Sequence, residues 1–148
     1  MQICTNKFYM ERLYFSPTKN APEILLSIEE NIFSISGTSR PEDVRLLYYP
    51  VIDWLKKLVD NMLNGNHYNF SSENPFKLKI DLSYFNSSSA KFLFDIFTEL
   101  KSMSSSGIPV IVEWYYDNDD PELKEAGEDM AAMAGMTFKY VGKEVDEE

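Results

Sequence analysis

The stretch "FKLKIDLSYFNSSSAKFLFDIFTELKSMSSSGIPVIVEWYY", residues 76–116, decides the fold. Phe76, Leu78, Ile80 and Leu82 alternate with Lys77, Lys79 and Asp81, the two-residue period of a strand with one covered face. Leu93, Ile96, Phe97, Leu100 and Met103 then recur on one helical stripe, which Phe92 and Phe94 widen. "SSSGIP" closes the helix, and the β-branched and aromatic run "VIVEWYY" suits a buried strand. Strand, helix and strand in that order ask for parallel neighbours joined by a right-handed crossover.

Working outward, "DNDDPELKEAGEDMAAMAGM" reads as an acid-led helix whose first turn suits the positive end of the helix dipole, and "TFKYV" as a last short strand. Upstream, Ile24 to Ile28 and Ile32 to Ser36 are two β-like runs parted by Glu29, Glu30 and Asn31, a hairpin signal. Between hairpin and strand, Val44, Leu47, Tyr48, Val51, Leu55, Leu58 and Met62 recur at helical spacing, with Pro41 before them and Gly65 after. Pro50 lies inside that pattern without an N–H to donate, so a kink or a fresh start is expected there, giving two helical segments.

The order ββαβαβαβ predicts a single α/β domain with a mixed, mostly parallel sheet and an N-terminal β-hairpin. Residues 1–19 read as an N-terminal extension, 20–143 as the domain and 144–148 as an acidic tail. Met10 is a candidate start of the structured part.

A chain of 148 residues can bury a core without staples. Acidic residues outnumber basic ones 24 to 14, and the net charge of -10 repels phosphate backbones, so no nucleic-acid partner is expected. Cys4 is the only cysteine, which excludes an internal disulfide or a CxxC motif and fits a reducing cytoplasm. No run approaches the roughly 20 apolar residues of a bilayer crossing, so no membrane insertion is expected. His67, alone in a polar loop, lacks the companions of a zinc set. Asp117, Asp119 and Glu128 take the first, third and twelfth places of a calcium loop, but Glu122 stands where the loop needs glycine. No cofactor or metal follows from these residues. Trp54, Trp114, Tyr115 and Tyr116 read as core or, if exposed, as interface, and Met130, Met133 and Met136 as fillers of gaps in the core.

The serines of "YFNSSSAKFL" sit at the strand-to-helix turn, where free N–H groups and the helix dipole favour a negative group. In one reading Asn86 or a serine is an N-cap and the remaining hydroxyls are surface. In a second, one serine accepts a phosphate. In a third, Ser88 and Lys91 form the S-x-x-K pair of a small hydrolase, although its S-D-N and K-T-G companions are missing. A constitutive scaffold subunit is a further alternative.

"SGTSRPEDVRLLYYPVIDWLKKL", "LKIDLSYFNSSSAKFL" and "VIVEWYYDNDDPELKEAGEDMA" together resemble the SiaC family of bacterial regulatory phosphoproteins over about residues 20 to 141. The most specific parts are the S-x-P-E segment, the "YFNSSSAK" turn and the W-Y-Y-D strand end. The resemblance implies a STAS-like domain related to anti-sigma-factor antagonists, without catalytic activity. It places the regulatory phosphate on Ser87, where family members can carry threonine. It implies partner contacts at Tyr84, Phe85, Asn86, Ser88, Ser89 and Lys91. It also implies three partners: a serine/threonine kinase of the histidine-kinase ATPase fold, a PP2C-type phosphatase, and a diguanylate cyclase that links the switch to cyclic-di-GMP and biofilm control.

Overall fold

Six strands form one sheet in chain order: β1 (Leu13–Phe15), β2 (Glu23–Ser27), β3 (Ile32–Ser39), β4 (Phe76–Phe85), β5 (Val110–Asp117) and β6 (Lys139–Lys143). Three helices connect the last four: α1 (Val44–Leu63), α2 (Ser87–Ser105) and α3 (Pro121–Ala134). This is a computed structural model, and it describes residues 9–66 and 68–144; Cys4, His67 and the last four residues of the acidic tail lie outside them.

The β1–β2 and β2–β3 pairs are antiparallel, and β3, β4, β5 and β6 run parallel. The mixed, mostly parallel sheet and its N-terminal hairpin are thus as the sequence pattern predicts. Each strand-helix-strand unit steps the same way across the sheet. Right-handed crossovers therefore put all three helices on one face.

That face holds the core. Phe33, Ile35, Phe76, Leu78, Ile80 and Leu82 from the strands meet Tyr48, Leu55 and Leu58 of α1 and Leu93, Ile96 and Phe97 of α2, all buried. The alternate residues point to the uncovered face, where Lys79, Glu113 and Lys139 stand in register across β4, β5 and β6. Lys143 Nζ lies 2.6 Å from the Asp81 carboxylate on this side, and Lys139 3.8 Å from Glu113. Among the described residues no helix is long and apolar enough to cross a membrane.

Three features depart from the sequence pattern. β1 adds an edge strand that three residues are too few to announce by periodicity. Distant contacts hold it there: Trp54 Nε1 donates to the Glu11 carbonyl at 2.7 Å, the Arg12 guanidinium meets Glu30 at 3.0 Å, and Met10 is buried.

The expected break at Pro50 does not occur, and α1 is one helix of 20 residues with Pro50 inside it. The carbonyl that loses its N–H partner belongs to Leu46, which is 73% exposed and can turn to water instead. Finally, Met130 is buried, but Met133 is 69% exposed and so is no core filler. Trp54 and Trp114 are buried, whereas Tyr115 and Tyr116 are half-buried.

Candidate functional site

The serine turn lies where β4 ends at Phe85 and α2 begins at Ser87. Asn86 is the N-cap: its backbone is extended and its side-chain oxygen accepts the Ser89 N–H at 2.9 Å. The cap is itself fastened to the sheet, because the Asn86 N–H donates to the Ser39 carbonyl at 3.0 Å. A register shift between Gly37 and Thr38 lets β3 skip Ser83 of β4 and set Ser39 opposite Phe85. Gly37, at φ +114, permits that irregularity.

The three serines have different surroundings. Ser87 and Ser88 are exposed, while Ser89 has no exposed surface. Ser89 Oγ donates to the Ser39 carbonyl at 3.0 Å and accepts from Ser39 Oγ at 2.8 Å. Ser39 Oγ has only one proton, so the 2.6 Å contact with Tyr48 must be a bond donated by the tyrosine hydroxyl. A buried hydroxyl chain thus runs from Tyr48 of α1 through Ser39 of β3 to Ser89 of α2. Burial pushes the pKa of the Tyr48 hydroxyl up to about 12.

Around the turn the surface is apolar. Tyr84 is 51% exposed at the strand end, and Phe85 packs its edge against Trp114 with ring centroids 5.8 Å apart. Between the first turns of α2 and the outer side of α3 lies a groove of about 460 Å³ whose floor is Phe85, Ala90, Phe94, Ala126, Met130 and Met133. Lys91 and Asp129 stand at its rim. Lys91 is largely exposed, its Nζ 3.7 Å from Asp95 one turn on and 5.0 Å from the Phe92 ring centroid.

The structure therefore brings Tyr84, Phe85, Asn86, Ser87, Ser88 and Lys91 to one end of the molecule. Ser89, expected at the partner face with them, instead turns its hydroxyl inward and holds the turn. Among the described residues no hydrogen bond joins Ser88 to Lys91, and the amine is turned toward Asp95. Sequence reasoning missed Ser39 and Tyr48, which join Ser89, fifty residues beyond Ser39, only in the folded chain, and the α3 wall of the groove. The wall had one usable signal: Ala126, Met130 and Met133 are apolar at helical spacing on an otherwise acidic helix.

The sequence profile that describes SiaC family regulatory phosphoproteins matches residues 15–143. An uncharacterized protein of Pseudomonas aeruginosa strain UCBPP-PA14 is 28% identical over 129 residues, covering 87% of this chain and 94% of its own. Among solved structures, apo-SiaC from Pseudomonas aeruginosa superposes with a TM-score of 0.74 at 27% identity, covering 88% of this chain and 98% of that one. A chain of the crystal structure of the diguanylate cyclase SiaD in complex with its activator SiaC, from the same organism, gives 0.76 at 26% identity over 88% and 99%. A profile that spans the sheet from its first strand to its last, and crystal structures that repeat its topology, make one assignment: the chain belongs to the SiaC family of regulatory phosphoproteins.

Proposed function

We propose that this chain is a non-enzymatic binding protein that activates a diguanylate cyclase and is switched off by a phosphate on Ser87. The observation that carries the reading is the exposed Ser87 hydroxyl in the first turn of α2, beside an apolar groove, on a turn held rigid by buried bonds through Asn86 and Ser89. The solved complex of SiaC with the cyclase SiaD supports the class of partner.

In the forward step Ser87 Oγ attacks the γ-phosphorus of ATP. The new O–P bond replaces the bond to ADP, and the hydroxyl proton leaves. A serine/threonine kinase of the histidine-kinase ATPase fold is the proposed catalyst. In the reverse step water displaces the serine oxygen under a PP2C-type phosphatase, releasing inorganic phosphate. A cytoplasmic setting supplies the ATP.

The phosphate adds roughly 1.5 to 2 negative charges and three acceptor oxygens in the first turn of α2, one turn before Lys91 at the groove. A partner packed there would have to strip water from that dianion, so its binding weakens while the fold stays as it is. The free N–H groups of the first helical turn and the helix dipole favour the modified form within the protein itself.

The test has two parts. With the kinase and ATP, intact mass should rise by one phosphate in wild type and not in Ser87→Ala; equal incorporation in both removes Ser87 from the mechanism. In a binding assay Ser87→Asp should weaken the cyclase complex and Ser87→Ala should preserve it. Binding unaffected by stoichiometric phosphate would instead mark a constitutive subunit.

A further inference from the structure

Resting on the reading of Ser87 as the acceptor, we infer that Lys91 is the residue through which the phosphate acts: the modified Ser87 captures the Lys91 ammonium that the partner otherwise needs. Ser87 and Lys91 are four residues apart on α2, so their side chains share a face, with Cβ atoms roughly 5–6 Å from each other. An acid placed N-terminal to a lysine at this spacing is the favourable order, and a phosphate is a stronger acceptor than a carboxylate.

The lysine is available for capture. It is exposed, and its present tie to Asp95 is long at 3.7 Å and open to solvent on both sides. A contact of that kind holds weakly. Its other support is the Phe92 ring, over which the ammonium lies.

The lysine also has a task in the unmodified protein. It stands at the rim of the groove floored by Phe85, Phe94, Met130 and Met133, with Asp129 at the same rim and Asp95 one turn on. In a chain of net charge -10, it is the basic residue among those that line the groove, and it can meet a carboxylate. The occupant this chemistry fits is an apolar segment of the cyclase with an acidic side chain set against Lys91. Phosphorylation then removes the cation and adds a dianion in one step, so a partner acid loses its counter-charge and gains a repulsive neighbour.

The experiment compares wild type, Lys91→Arg and Lys91→Gln, each prepared unmodified and phosphorylated on Ser87 by the kinase. Unmodified Lys91→Gln should bind the cyclase roughly two- to fivefold more weakly, the range of an exposed charge pair, and Lys91→Arg should restore binding. Phosphorylation should weaken Lys91→Gln by a smaller factor than it weakens wild type. Independently of any partner, phosphorus NMR titration of the modified protein should give a second phosphate ionisation about 0.3 of a pH unit higher in Lys91→Gln than in wild type, because the dianion has lost its cation. If Ser87 takes no phosphate, the switch and this inference fall together. If Ser87 is modified and switches binding, but Lys91→Gln has the same phosphate titration and the same switching factor as wild type, the switch stands and the capture of Lys91 is wrong.

Discussion

Ser39 illustrates how much one buried hydroxyl can organise. Its side chain accepts from Tyr48 and donates to Ser89, and its carbonyl accepts both the Asn86 N–H and the Ser89 hydroxyl. Ser39→Ala should leave the Tyr48 hydroxyl buried without an acceptor and destabilise the protein by about 1–3 kcal/mol in urea unfolding. Tyr48→Phe removes the stranded group itself and should cost less, about 1 kcal/mol, while Ser39 and Ser89 keep each other. The ordering of the two variants is the check. Tyr48 also gives a pH signature. Its hydroxyl titrates higher in the folded protein than in the unfolded chain, so its contribution is complete below about pH 10 and fades as the pH rises toward about 12. Tyr48→Phe should lose that part of the alkaline decline. None of this chain of hydroxyls was legible beforehand, because Ser39, Tyr48 and Ser89 meet only after β3, α1 and α2 have packed. Legible in advance was the neighbouring turn, whose Asn86 and serines are the residues that start helices.

At the scale of the element, α2 is the piece its own sequence specifies best. A cap, an apolar stripe and a glycine stop all agree on it. Asn86→Ala removes the oxygen that holds the Ser89 N–H and should destabilise the protein by about 1 kcal/mol, whereas Asn86→Asp should retain stability, since both acids and amides cap well. Thermal unfolding of the two variants distinguishes a cap from a bystander. Helix α1 shows where local reading ends. Proline is a sound breaker in the abstract, but Pro50 stands in the second turn, where the orphaned carbonyl belongs to an exposed residue and packing of Tyr48, Val51, Leu55 and Leu58 carries the helix through. Strand β1 shows the opposite limit, since its three residues pair with β2 while Glu11 and Arg12 just before them are tied to Trp54 and Glu30, and no pattern of their own announces them.

For the molecule as a whole, the layer of helices must sit at a fixed height above the sheet, and Gly127 sets it for α3. A Cβ added there would meet the indole of Trp114 at 2.6 Å. That ring is 1% exposed and its Nε1 donates to the Leu123 carbonyl at 3.0 Å, so it has nowhere to retreat. Gly127→Ala gains roughly 1 kcal/mol of helix propensity and still should destabilise the protein on balance, because overpacking costs typically 1–3 kcal/mol. Because α3 walls the groove, the same variant should weaken the proposed cyclase complex more than a distant core change of equal cost does, which a paired stability and affinity measurement reveals. The succession of elements from β2 to β6, with parallel strands joined by helices, was readable from alternation and spacing, whereas the edge strand β1 was not. The groove was not, because it belongs to the distance between two helices.

The strands from β3 to β6 succeed one another without the sequence ever doubling back. Sheets of this general kind cradle small molecules where successive connections part company and leave a cleft between them. Here the procession is unbroken, and no reversal of strand order opens such a cleft at the end of the sheet toward which those strands point. Such an end suits a surface that another macromolecule leans against, and the phosphate proposed for Ser87 would set its negative charge there.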